Sequence, residues 1–68
     1  MEYKIAIRVK ELRKERGLSQ LKLAIELELS SGYIADIEQG RTMVSVPTLV
    51  LLAKFFDVTT DYLLGLVD

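Results

Sequence analysis

The chain has no cysteine, no histidine and no tryptophan, only one proline, and an aromatic content of 7%. Each shortage closes a class of explanation. Without cysteine there is no disulfide framework, and without cysteine and histidine there is no Cys/His metal site. The missing histidine also removes the usual general base and leaves only carboxylates for such work. No apolar run approaches the roughly 18 residues that a membrane-crossing helix requires, so no membrane partner is expected. Glu2 and the mixed charge around it break the basic-then-apolar order of a secretory signal, which makes the cytoplasm the expected location.

What remains is 68 residues, half of them hydrophobic, with a net charge of −1. A chain of this length makes one domain, residues 1–68, and buries only about 60% of its unfolded surface. The small net charge conceals a polarity. Residues 1–22 carry seven cations against three carboxylates, a net of +4; residues 23–68 carry two against seven, a net of −5. A domain divided in this way can present a basic face to phosphate. The plainer reading is a solvated first helix in which Glu11 and Glu15 lie among Arg8, Lys14 and their neighbours.

Two helix starts stand close together. Ser19 and Ser30 are both N-cap residues, able to accept a backbone N–H two or three positions on. After Ser19, Leu23, Ala24 and Leu27 recur at helical spacing; after Ser30, Ile34 and Ile37 do the same, and Gly40 supplies a stop. Helices this short, separated by about three residues, must turn away from one another, and Ala24 is small enough to let them cross closely. A helix-turn-helix over about residues 20–39 follows, a motif whose second helix is usually offered to the major groove of DNA.

The remaining elements are also helical. A first helix is expected over about 3–16, ending at Gly17, with Ile5, Val9 and Leu12 as its core stripe and Ile7 outside it. Arg13 borders that stripe, where only a paired charge is tolerated. The second helix covers about 20–28, and Glu28 occupies a turn position that usually wants glycine, at a cost of roughly 1 kcal/mol. Its first turn offers free N–H groups and a partial positive charge to a phosphate, with the Gln20 amide alongside; otherwise Gln20 is simply a good surface helix former. On the third helix, about 31–39, Ile34 and Ile37 face the core, while Ser31, Gly32, Tyr33 and Asp36 occupy the opposite side. Groove-reading helices often carry Arg, Gln or Asn there, and this one has none. The loop Gly40-Arg41-Thr42-Met43-Val44 can turn backbone N–H groups toward phosphate. Ser45 caps a fourth helix with Pro47 in its first turn and Leu49, Leu52, Ala53 and Phe56 on its buried face; Asp57 ends it. Thr59 caps a fifth, through Leu64, stopped by Gly65. Tyr62, Leu66 and Val67 leave an apolar C-terminal end.

The runs ELRKERGLSQ, YIADIEQGR and VTTDYLLG resemble the Cro and phage-repressor family of helix-turn-helix domains, also called the xenobiotic-response-element (XRE) family, over about residues 5–65. The resemblance implies an all-α, five-helix, lambda-repressor-like fold. It also implies a double-stranded DNA operator as partner. Gln20 and the loop of Gly40, Arg41 and Thr42 would grip phosphates, with help from Arg8 or Lys10, while Ser31, Gly32, Tyr33 and Asp36 would read bases. For Asp36 the suitable base group is the cytosine amino group. It implies an ion pair between Arg13 and Glu38. Three departures from the family pattern stand out: Glu28 stands for the turn glycine, Asp36 lies on a reading helix without a basic side chain, and Met43 and Val44 replace basic or proline residues in the loop.

The sequence therefore points to a sequence-specific transcriptional regulator, a dimeric repressor of phage or plasmid type that needs no cofactor and no metal. Leu66, Val67 and Tyr62 are the expected dimer contact, unless Leu66 and Val67 only fray. The alternative is a protein-interaction module on the same fold, such as an antitoxin or anti-regulator. An enzyme is the remotest reading, since no nucleophile, base and oxyanion site assemble.

Overall fold

Hydroxyl side chains start most of the helices. The computed structural model describes residues 3–68, so Glu2, counted above in the N-terminal charge, lies outside the described residues. Among those described there are five helices and no strand: α1 (Ile5–Glu15), α2 (Gln20–Leu27), α3 (Ser31–Glu38), α4 (Val46–Phe56) and α5 (Thr60–Leu64). Ser19, Ser30, Ser45 and Thr59 are the N-caps of α2 to α5, accepting from the backbone N–H of Lys22, Tyr33, Thr48 and Tyr62. The first helix differs. No side chain caps it, and it begins at Ile5 instead of Tyr3. The backbone N–H of Lys4 donates to the Leu64 carbonyl at 3.3 Å, which ties the start of α1 to the end of α5.

Left-handed residues follow the ends of α2, α4 and α5. Glu28 (φ 58°), Asp57 (φ 55°) and Gly65 (φ 80°) each reverse the chain. The next N–H then reaches back to the helix: Leu29 to Ala24 at 2.8 Å, Val58 to Ala53 at 3.0 Å and Leu66 to Asp61 at 2.9 Å. Glu28 thus pays the steric cost foreseen for a side chain at that turn. Glu28→Gly should raise stability by up to about 1 kcal/mol, because relief of the left-handed strain outweighs the extra freedom of glycine in the unfolded chain. A thermal melt checks this; an unchanged or lower midpoint would show that Glu28 is not strained.

The core collects Ile5 and Val9 of α1, Leu23, Ala24 and Leu27 of α2, Ile34 and Ile37 of α3, Leu52, Ala53 and Phe56 of α4, and Leu63 of α5. One expected member is displaced. Leu12 is only partly buried, and Arg13 is the third buried residue of α1, because the inward line runs at i, i+4 and i+8 instead of closing at i+7. Ile7 is 61% exposed, as its phase requires. Ala24, buried to 1%, belongs to the helix that packs directly on α3; α3 also packs on α1, and α5 bridges α1 and α4. Leu49 packs against the core from the edge.

Candidate nucleic-acid interface

With Ile34 and Ile37 turned fully inward, α3 must present its other side. Ser31 and Gly32 are exposed at its first turn, and the Asp36 side chain is about half exposed. A Cβ built on Gly32 meets nothing within 4 Å, so the helix surface there is open. Tyr33 does not join them as the spacing suggested. Its ring packs against the core, and its hydroxyl donates to Thr48 Oγ1 at 3.4 Å. Ser45 Oγ donates to the same oxygen at 3.0 Å. Tyr33 is thereby part of the α3–α4 contact. Its phase lies between the two faces, and a buried hydroxyl on α4 draws it inward.

Behind the exposed face lies the ion pair. Arg13 Nε donates to Glu38 Oε2 at 2.7 Å and Nη2 donates to Oε1 at 3.0 Å, a two-pronged contact between α1 and the last residue of α3. The side chains are 10% and 2% exposed. Arg13 Nη1 also donates to the Leu18 carbonyl at 2.7 Å, fixing the turn before α2. Hydrogen bonding to Glu38 raises the Arg13 pKa above its ordinary value; burial opposes this, and the Glu38 charge adds to it. Gln20 joins the same network, its Nε2 donating to Glu38 Oε1 at 3.2 Å. The Gln20 amide, expected to face solvent, is turned toward α3, with one N–H and its carbonyl oxygen left for other partners. No buried side-chain polar atom among the described residues lacks a partner.

The loop after α3 also departs from expectation. The N–H of Gly40 donates to Ile37 and that of Arg41 to Asp36, at 3.1 and 2.9 Å, so these two amides close the helix and do not point toward a phosphate. Gly40, at φ 73°, supplies the reversal. Thr42 Oγ1 donates to the Met43 carbonyl at 3.4 Å. Asp36 and Arg41, expected at bases and at phosphates separately, meet each other. Arg41 Nε and Nη2 donate to Asp36 Oδ1 at 3.0 and 2.8 Å, and Nη1 donates to Gln39 Oε1. The pair is open to solvent, with side chains 57% and 45% exposed.

Arg8 is drawn to the C-terminal end of the chain. Its Nη1 donates to the carbonyls of Tyr62 at 3.0 Å and Val67 at 3.2 Å, and its guanidinium lies 4.1 Å from the Tyr62 ring centre. It fastens the C-terminal end to α1. Leu66 and Val67 stay half exposed there. The Arg8 contacts had no local signal in the sequence. The Asp36–Arg41 contact had one: a glycine between a helical carboxylate and an arginine just past the helix end.

A family model described as helix-turn-helix matches residues 9–63. The chain is 42% identical over 55 residues to the HTH-type transcriptional regulator PrpR of Mycobacterium tuberculosis, covering 81% of this chain and 11% of that protein. It is 40% identical over 58 residues to the immunity repressor protein of Bacillus phage phi105, covering 85% of this chain and 40% of that one. The chain therefore spans less than half the length of these two relatives. Among solved structures, SinR, described as the master regulator for biofilm formation and crystallised in complex with DNA, superposes with a TM-score of 0.80 at 33% identity. That match covers 88% of this chain and 97% of the SinR chain in that structure.

Proposed function

Since the chain belongs to the XRE-type helix-turn-helix family, we propose that it is the DNA-binding domain of a transcriptional regulator, a repressor of phage or plasmid type that binds a double-stranded operator as a homodimer. The observation that carries this reading is the exposure of Ser31, Gly32 and Asp36 on one side of α3 while Ile34 and Ile37 hold the other side in the core. A helix held in this way can lay its first turns in a major groove. The first turn of α2, the remaining N–H of Gln20 and the exposed Lys10 supply phosphate contacts, which position the domain without reading sequence. The reading makes residues 1–68 a single binding unit and not an enzyme. A DNA target sets the cytoplasm as its place of action, and no described helix is long and apolar enough to cross a membrane.

Selection of bound fragments from random duplex DNA, followed by titration at several salt concentrations, tests it. A defined sequence should emerge, and the logarithm of affinity should fall by about 0.9 per phosphate contacted for each tenfold rise in salt. An interaction module would select nothing and would show a flat salt response.

A single domain meets few base pairs, and a two-fold dimer can span half-sites about 34 Å apart. The half-exposed Leu66 and Val67, held in place beside Tyr62 by Arg8, support the C-terminal end as the dimer contact. Leu66→Asp should therefore convert a sedimenting dimer to monomer and weaken operator binding at least tenfold. Equal dimer fractions in variant and parent would remove this end from the interface.

A further inference from the structure

The reading helix of this chain has no basic or amide side chain along Ser31–Glu38, yet a guanidinium lies against it. Arg41 stands beyond the helix end, and the reversal at Gly40 sends its side chain back to Asp36. The geometry points to Arg41 as the principal base-reading side chain of the protein, with Asp36 and Gln39 as the residues that position it. This rests on the DNA-binding reading and says which residue supplies its specificity.

The hydrogen bonds define how the guanidinium is held. Asp36 Oδ1 takes the Nε and Nη2 donors, and Gln39 Oε1 takes one on Nη1. One N–H on Nη1 and one on Nη2 stay unused. The Nη1–Nη2 edge, which Asp36 does not occupy, is the fork that would match the O6 and N7 acceptors of guanine. Two neighbours hold the planar group against rotation, so less freedom is lost when it binds. Space is also available. Asp36 lies one turn after Gly32, which has no side chain and nothing near where one would be, so no bulky group of α3 at that position competes with the fork for a base edge.

The pairing also resolves the difficulty of a carboxylate on a helix that approaches phosphates. Alone, Asp36 would be repelled. Joined to Arg41 it forms a neutral pair, so that Arg41 adds little to non-specific attraction and its contribution goes into discrimination.

The test uses the full chain and its selected operator, with Arg41→Ala, Arg41→Lys and Asp36→Asn variants. All changes are on exposed side chains, and a melting curve for each confirms the fold. The parent should select a guanine at a fixed place in each half-site and prefer it roughly 10- to 100-fold over other bases. Both Arg41 variants should lose that preference, since lysine keeps the charge and lacks the fork. Asp36→Asn should reduce it several-fold while binding to random duplex becomes equal or tighter. Replacing the selected guanine by 7-deazaguanine, which lacks the N7 acceptor, should weaken the parent and leave Arg41→Ala unaffected. If Arg41→Ala weakens every duplex alike and keeps the guanine, Arg41 is a phosphate contact and the inference is overturned while DNA binding stands. If Arg41→Ala keeps a G·C preference that Asp36→Asn abolishes, Asp36 reads the cytosine itself and the assignment is equally overturned. A parent that selects no sequence at all removes the DNA-binding reading, and this inference with it.

Discussion

Glu38→Ala should destabilise the domain by about 3–5 kcal/mol, the cost of leaving a buried charge without its partner. Arg13 is 8% exposed and the Glu38 side chain 2%, so neither is reached by enough water to replace the other. The variant leaves Arg13 with only its contact to the Leu18 carbonyl, and leaves Gln20 Nε2 without its acceptor. A domain of this size holds roughly 3–10 kcal/mol in total, so much of the population should unfold under conditions where the parent is folded. Urea unfolding at fixed protein concentration measures it. A change of a few tenths of a kcal/mol would mean that water screens the pair, as it does for surface ion pairs.

The size of that loss is not the net worth of the pair. Desolvating two charges costs several kcal/mol per ion before their attraction returns anything. Replacing both together, as Arg13→Met with Glu38→Leu, should therefore cost much less than Glu38→Ala alone. The double variant still loses the anchor on Leu18 and the partner of Gln20, both near the start of α2. If the double variant folds well but binds operator poorly, the network serves mainly to set the angle of α2 and α3. If it binds normally, packing alone sets that angle.

The fold was legible because its instructions are local. Serine or threonine before each of four apolar runs, glycine or a tolerant polar residue after them, and three- and four-residue spacing within them specify where helices begin, end and face. Even the strain at Glu28 could be read, since a two-helix turn of that length demands a left-handed residue. Arg13 was legible as a charge that needed a partner. The interface was less so. Tyr33 sits between two faces of its helix, and only the position of Thr48 on α4 decides which way it turns. Arg8 meets carbonyls 54 and 59 residues away, a relation that periodicity cannot express. Asp36 and Arg41 were assigned to different tasks because helix phase treats the residue after the stop as departed, whereas a long side chain beyond a left-handed glycine returns over the helix.

The two isoleucines that hold α3 should respond unequally to truncation, although both are buried, at 0% and 1% exposure. Isoleucine to alanine in a core costs roughly 2–5 kcal/mol, and the spread reflects how far the surroundings close over the lost volume. Ile34 has no route to solvent, so Ile34→Ala leaves an enclosed void whose lining loses its contacts outright. Ile37 instead borders an open groove lined by Tyr3, Ile5, Ala6, Ile7, Gly40, Thr42 and Met43. Met43 is 65% exposed and unbranched, so it can swing into the space that Ile37→Ala creates. Ile34→Ala should thus fall in the upper part of the range and Ile37→Ala in the lower part, about 1–2 kcal/mol apart. The gain in helix propensity from isoleucine to alanine is the same at both sites and cancels in the comparison. Urea unfolding of the two variants, with Met43→Ala added to Ile37→Ala, decides the matter. If Met43 fills the space, the added change should cost more in the Ile37→Ala background than in the parent, where Met43 is mostly exposed. Equal costs for the two isoleucines, or no coupling to Met43, would show that the groove beside α3 does not relax and that α3 is held as rigidly at its end as at its middle.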